Sequence, residues 1–103
     1  MVEELSNHGE FDKFIKDGTV VVDFFAEWCM PCVMMAPVFE EISEKFSKIK
    51  FGKLNIDENR DLASRFKVMS IPCIIVFKNG KEAERIIGAV PGEQLEERIR
   101  GLK

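Results

Sequence analysis

The stretch that most constrains the fold is TVVVDFFA, residues 19–26, which is almost continuously apolar and rich in Val and Phe. Strands with one solvated face alternate apolar and polar residues, whereas strands covered on both faces read as unbroken apolar runs. The pattern therefore predicts a central strand that is buried on both faces of a sheet. Asp23 is the only charge in this run. Because an unpaired buried carboxylate is costly, we expect it to be paired or to have a raised pKa.

Strand and helix patterns alternate along the rest of the 103-residue chain, with no repeat or linker between them. Strands are predicted at 2–5, 19–26, 50–56, 73–78 and 81–88, and helices at 7–18, 31–47, 59–66 and from 91 onward. Asn79-Gly80 predicts a type I′ hairpin turn between the last two strands. This order predicts an α/β protein with a central mixed five-stranded sheet and helices on both faces. At this length we expect one domain, residues 1–103.

Charge and hydropathy narrow the possible partners. The formal net charge is −3 and basic residues do not cluster, so we expect no nucleic-acid or anionic-membrane surface. No apolar run is long enough to cross a bilayer. The first ten residues, MVEELSNHGE, are acidic and polar, unlike a secretory signal. We therefore expect a cytoplasmic protein, although a mature chain with its leader removed would look the same.

Two of the three cysteines, Cys29 and Cys32, form a CxxC motif within FAEWCMPC. Such a pair can be a metal clamp, a structural staple or a reversible electron carrier. Three cysteines are too few for a fold held together by disulfides, and in a reducing compartment a Cys pair is more often catalytic or metal-binding.

The position of the motif favours the electron carrier. It lies where the buried strand ends and the next helix begins, with Pro31 suited to the first helical turn. Cys29 is then expected at the helix N-terminus, where free backbone N–H groups and the helix dipole favour the reactive thiolate. Cys32, one turn later, is expected to be more buried and to stay protonated until needed. The predicted reaction is attack by Cys29 on a substrate disulfide, followed by attack of Cys32 on the mixed disulfide.

Several segments resemble the thioredoxin family, in the right order and over the whole chain. They are VVVDFF, FFAEWCMPC, KLNIDEN, SIPCIIVFKNGK and IIGAVPGEQL. The resemblance implies the thioredoxin fold and a thiol-disulfide oxidoreductase that reduces protein disulfides. It also implies disulfide-containing protein substrates and a thioredoxin reductase as electron donor. We expect a monomer without cofactor or metal.

The resemblance also assigns roles to individual residues. It implies that Cys29 attacks, that Cys32 resolves, and that the two form the redox disulfide. It matches Asp23 to a buried carboxylate and Lys53 to its partner. The expected substrate-binding residues are Trp28, Met30, Pro31, Ile71, Pro72, Gly88 and Ala89. Among these, Pro72 matches a cis-proline, which would leave the backbone of Ile71 free to bond a substrate strand, and Gly88 matches a glycine that lets substrate approach.

Three positions depart from the family pattern: Met30 replaces glycine, Phe25 replaces tryptophan and Cys73 replaces threonine. We expect these departures to affect the redox potential and the choice of substrate more than the disulfide exchange itself. Cys73 is either a small buried hydrophobic residue or a third sulfur near the pair, for a side disulfide, a metal or an iron–sulfur cluster.

The sequence allows two roles each for Asp23 and Trp28. Asp23 either accepts the Cys32 proton or is a structural carboxylate paired with Lys53. Trp28 either docks partners or belongs to the core. The competing functions for the whole chain are a disulfide oxidase or isomerase, a metal- or cluster-binding module, and a binding module that works without turnover.

Overall fold

Five strands and four helices make up the computed structural model, which describes residues 1–102. In chain order they are β1 (Val2–Leu5), α1 (His8–Ile15), β2 (Thr19–Phe25), α2 (Met30–Ser43), β3 (Lys50–Asn55), α3 (Arg60–Arg65), β4 (Cys73–Lys78), β5 (Lys81–Ile87) and α4 (Gly92–Arg100). The predicted order and type of every element are confirmed. Within the described residues, no helix has both the length and the apolar character needed to span a membrane.

The strands form one mixed sheet in the order β1-β3-β2-β4-β5. Strand β3 runs parallel to both β1 and β2, whereas β4 runs antiparallel to β2 and to β5. Strand β2 lies at the centre, and its residues from Val20 to Phe24 are all buried, as the apolar run predicts. Asn79 and Gly80 both have positive φ, which the predicted I′ hairpin turn requires.

Successive residues of β2 face opposite sides of the sheet, and each side has its own hydrophobic core. Val22 and Phe24 pack with Phe11 of α1 and Leu62 of α3. Val21 packs on the other side, with the side chains of α2 and α4. Because the period of a strand is two, Asp23 lies on the same side as Val21, which is the side that α2 covers.

Helix α2 is shorter than predicted, since it ends at Ser43 rather than near Ser47. The Ser43 hydroxyl donates to the carbonyl of Glu40 at 2.6 Å, and the following turn is closed by bonds such as Phe46 N–H to Ser43 O. Serine bonds of this kind compete with the helix. Phe46 is nevertheless buried and lies against Phe51 of β3. The turn after α2, rather than a continued helix, carries it into the core.

Candidate redox site

Cys29 is the N-cap residue of α2. Its backbone is extended, with φ −89° and ψ 105°, and its Sγ accepts the backbone N–H of Cys32 at 3.2 Å. Pro31 lies in the first turn, where the missing N–H costs nothing. The predicted position of Cys29 is therefore confirmed. Its sulfur lies at the positive end of the helix dipole, an environment that stabilises negative charge.

Cys29 and Cys32 are joined by a disulfide, with their Cα atoms 5.2 Å apart. The exposed fractions of the two residues are 5% and 3%, and Ala26 packs with them in a small apolar cluster. Cys32 is therefore the more buried of the two in this oxidised state, as expected, but only by a small margin. The disulfide holds both sulfurs within the same cluster, so the two residues are buried to a similar extent.

The loop before β4 lies against the sulfurs. The Ile71–Pro72 peptide bond is cis, as the resemblance implied. Cys29 Sγ is 3.9 Å from the carbonyl oxygen of Ile71. Within residues 1–102, neither backbone group of Ile71 has a backbone hydrogen-bond partner. This short segment thus presents an unpaired peptide edge beside the disulfide.

Gly88 closes this side of the site. Its N–H donates to the carbonyl of Pro72 at 2.8 Å. Its φ is +89°, a conformation that residues with a side chain rarely adopt, and a Cβ placed there would contact nothing within 4 Å. The backbone conformation, rather than crowding in this chain, therefore accounts for glycine here.

Asp23 lies beneath α2, and its exposed fraction is 4%. It lines a cavity of about 220 Å³ together with Cys32, Lys53 and neighbouring residues of β2 and α2. Its Oδ1 accepts no hydrogen bond from any residue between 1 and 102. Burial raises the pKa of Asp23 to about 7, against the opposing effect of the positive charge of Lys53. Of the two expectations for Asp23, a partner or a raised pKa, the structure thus shows the raised pKa.

Lys53 is the register partner of Asp23 in the β2–β3 pairing. Its ammonium group lies 5.7 Å from the centre of the Phe25 ring, and no salt bridge joins it to Asp23 among the described residues. The lysine therefore acts on the carboxylate at longer range. This geometry does not support the alternative in which Asp23 is a structural carboxylate in a tight ion pair.

An apolar surface surrounds the disulfide. Trp28 and Met30 are 68% and 64% exposed, Pro31 and Ala89 are also exposed, and Ile71 is partly exposed. The alternative that places Trp28 in the core is wrong. Its indole Nε1 donates to Asp57 Oδ2 at 2.7 Å, which holds the ring across the surface beside Cys29.

Sequence reasoning missed three other exposed apolar residues on α2 and on the loop before β4. Val33 and Met34 of α2 and Met69 of the loop before β4 are exposed large apolar residues. Val33 and Met34 follow Met30 by three and four positions, so helical spacing could have found them. Asp57 carries no such signal, because only the tertiary fold brings it to Trp28.

Cys73 lies in the core that α1 and α3 cover, opposite Phe24 in the β2–β4 pairing. It is a free, buried thiol, and burial raises its pKa. Cys29 and Cys32 belong to a separate cluster. In the described part of the chain, no group of three or more His, Cys, Asp or Glu residues is arranged to hold a metal ion. The structure therefore favours Cys73 as a small buried hydrophobic residue.

Comparison with known proteins agrees with this geometry. The family model described as Thioredoxin matches residues 2–101. A thioredoxin of Chlamydia pneumoniae is 47% identical over 88 residues, which are 85% of each chain. One from Alicyclobacillus acidocaldarius is 50% identical over 84 residues, or 81% of this chain and 80% of that relative.

The solved structure of Plasmodium falciparum thioredoxin superposes with a TM-score of 0.94. It has 35% sequence identity and covers 99% of this chain and 100% of that one. The predicted fold class, a mixed five-stranded sheet flanked by helices, is therefore the thioredoxin fold. With its disulfide-linked CxxC at the start of α2, the chain belongs to the thioredoxin family and is a thiol-disulfide oxidoreductase whose redox-active pair is Cys29 and Cys32.

Proposed function

We propose that this oxidoreductase reduces disulfides in other proteins, with Cys29 as the attacking residue and Cys32 as the resolving residue. The observation that carries the assignment is the N-cap position of Cys29, whose sulfur lies 3.2 Å from the N–H of Cys32. Dipole and N–H donor both stabilise a thiolate at Cys29 once the pair is reduced. Cys32 lies inside the first turn of α2, so its sulfur is not at the N-cap, where Cys29 has these stabilising groups.

The electron balance of the exchange is simple. In the reduced protein, the Cys29 thiolate attacks one sulfur of the substrate disulfide, which forms a mixed disulfide and expels the other substrate sulfur as a thiolate. The Cys32 sulfur then attacks Cys29, forms the Cys29–Cys32 bond and expels the second substrate sulfur. Two electrons pass to the substrate, and the oxidised pair needs a reductase to return to the dithiol.

Asp23 is the proton acceptor for Cys32 in this proposal. Both side chains line the same cavity, and an acceptor with a pKa of about 7 is poised to take a proton at neutral pH. Lys53 borders the cavity and limits the rise in the Asp23 pKa, so it tunes the acceptor.

The substrate binds on the apolar surface and along the loop before β4. Trp28, Met30, Pro31 and Ala89 supply exposed apolar contacts around the disulfide. The unpaired backbone groups of Ile71 bind an extended substrate segment as an added strand, next to Pro72 and Gly88. Met30, in the place where the family usually has glycine, adds a polarisable contact that adapts to varied partners.

We further propose that the chain acts as a single-domain monomer in the cytoplasm, where a thioredoxin reductase supplies its electrons. A reducing compartment suits a protein that must be returned to the dithiol after each cycle. The net charge of −3 and the lack of clustered basic residues support protein rather than nucleic-acid partners. Cell fractionation and light scattering test the location and the oligomeric state.

The decisive experiment compares insulin-disulfide reduction by the wild type, Cys29→Ser and Cys32→Ser. Both variants should lose turnover, and only Cys32→Ser should accumulate a covalent adduct with the substrate, because the resolving sulfur is missing. Cys73→Ala is the matched control, since it removes the remaining cysteine and should leave turnover intact. An adduct that accumulates on Cys29→Ser instead would reverse the assignment.

A further inference from the structure

Arg85 of β5 reaches from the sheet to the end of α3. Its Nη2 donates to the carbonyl of Phe66 at 2.6 Å and its Nη1 to the carbonyl of Lys67 at 3.3 Å. The other edge of the guanidinium is held by Glu82, with Nε and Nη2 at 2.9 and 2.8 Å from the two carboxylate oxygens. One side chain thus joins β5 to the first residues of the loop that precedes β4.

The end of α3 needs such a partner. Lys67 has φ +54°, and the N–H groups of Lys67 and Val68 bond back to the carbonyls of Ser64 and Ala63. This is a Schellman-type end, in which glycine is the usual residue because a side chain disfavours the left-handed conformation. The last carbonyls of a helix also lack intrahelical partners. Arg85 supplies donors to the two carbonyls that follow α3 and places a positive charge at the negative end of the helix.

An irregularity in β5 brings Arg85 and Glu82 together. Residues three apart on a regular strand point to opposite faces. The register between β4 and β5 shifts between Val76 and Phe77, so Ala83 is an extra residue on β5. A bulge of this kind changes the face of the residues that follow it. Glu82 and Arg85 therefore share the face that looks toward α3.

This arrangement connects both ends of the loop of residues 67–72 to the single strand β5. Arg85 is the register partner of Ile75 in β4, so its backbone braces the strand into which the loop leads. Its guanidinium anchors the other end at Phe66 and Lys67. Between these anchors lie Ile71, with its unpaired peptide edge, and Pro72.

We propose that Arg85 is a positioning residue for substrate binding: it fixes the loop of residues 67–72 so that the backbone of Ile71 stays aligned beside Cys29. The inference rests on the proposed function, because it assumes that Ile71 binds the substrate. Arg85 itself lies outside the disulfide cluster and takes no part in the exchange. The loss is therefore confined to substrates long enough to pair with Ile71.

The test compares the wild type with Arg85→Ala on two substrates, insulin and hydroxyethyl disulfide. Arg98→Ala is the matched control. It removes an ion pair between Arg98 of α4 and Glu84, which is also on β5. Arg85→Ala should raise the KM for insulin roughly tenfold, the size expected from losing a charge-assisted hydrogen bond. Turnover of hydroxyethyl disulfide should change less than about twofold, since a small disulfide does not pair with the loop.

Amide exchange gives a second readout that does not depend on activity. Exchange at the amides of Lys67 and Val68, which bond back to α3, should quicken in Arg85→Ala while the amides of β2 stay protected, and Arg98→Ala should leave both sets unchanged. Arg85→Lys should not restore the insulin KM, because an ammonium group cannot reproduce the planar fork. If Arg85→Ala does not fold, Glu82→Gln tests the same brace by releasing the guanidinium.

The outcomes separate the two proposals. Equal losses on both substrates, or an insulin KM equal to that of Arg98→Ala, would overturn the role of Arg85 while leaving the reductase function intact. Unchanged exchange at Lys67 and Val68 would also overturn the role of Arg85. A wild-type protein that cannot reduce insulin at all would instead overturn the proposed function.

Discussion

Asp23 and Cys32 line one cavity of about 220 Å³, although they belong to different elements and only Cys32 is part of the CxxC motif. The carboxylate lies on the face of β2 that α2 covers, and its burial raises its pKa to about 7. A group with this pKa exchanges protons readily at neutral pH. Burial suits Asp23 to the proposed role of accepting the Cys32 proton, and the same burial destabilises the fold when the carboxylate is charged.

Asp23→Asn should slow resolution of the mixed disulfide by about 10²-fold, because an amide cannot accept the Cys32 proton. The rate is measured by stopped-flow release of a fluorescent peptide from the mixed disulfide with Cys29. Asp17→Asn, which changes an exposed carboxylate, is the control. An unchanged rate in Asp23→Asn would remove the residue from the mechanism.

The same substitution should stabilise the oxidised protein above neutral pH. The Asp23 pKa is about 7 in the folded chain against an ordinary value of 3.8, so the folded state binds more protons between these values and loses stability as pH rises. The difference corresponds to roughly 4 kcal/mol when the carboxylate is fully charged. Guanidinium unfolding should therefore show a gain of about 2–4 kcal/mol for Asp23→Asn at pH 8 and a much smaller gain at pH 4. Equal gains at both values would contradict the linkage.

Lys53→Met should move the pH profile of resolution upward. The positive charge of Lys53 lowers the pKa of Asp23, so its removal raises that pKa further above its ordinary value. Resolution would then need a higher pH to reach half its maximal rate. Lys50→Met, on the same strand but with its ammonium group over the Phe14 ring, should leave the profile in place. A downward shift in Lys53→Met would show that the lysine acts in another way.

Asp57→Ala should weaken substrate binding through Trp28. The hydrogen bond between the two residues is exposed to solvent, so we expect only a twofold to threefold rise in the KM for insulin. Trp28 is the single tryptophan of the chain, and its fluorescence reports directly on the released indole. Glu58→Ala, the exposed neighbour, should alter neither quantity. A fluorescence change without any effect on KM would indicate that the ring orientation does not matter for docking.

Cys73→Ala should retain full insulin reduction and lose about 1 kcal/mol of stability, because it removes one buried sulfur from a packed core. Cys73→Ser should cost more, roughly 2 kcal/mol, since its hydroxyl enters an apolar site. Thermal unfolding measures the stability of the two variants, and the insulin assay measures their activity. A tenfold loss of activity in the stable alanine variant would revive the interpretation of Cys73 as a third redox sulfur.

Local patterns in the sequence were sufficient for much of the fold. The apolar run in β2 predicted burial on both faces, Asn79-Gly80 predicted the hairpin, and the position of Cys29 followed from the boundary between strand and helix. The end of α2 was mispredicted because Phe46 keeps the helical spacing. Its burial arises from the turn after Ser43. Spacing alone cannot distinguish a residue buried on a helix face from one that is buried by the turn after the helix.

The sequence by itself determined the order of elements, the buried central strand and the CxxC at a helix start, because these depend on periodicity and on residues close together in the chain. Only the tertiary structure decided which distant groups meet there. It placed Asp23 in one cavity with Cys32, Trp28 against Asp57, Cys73 away from the pair, and Arg85 at the end of α3. Such contacts depend on sheet order, strand register and a bulge, and no local pattern specifies these, because they are set by packing the two cores against opposite faces of the sheet.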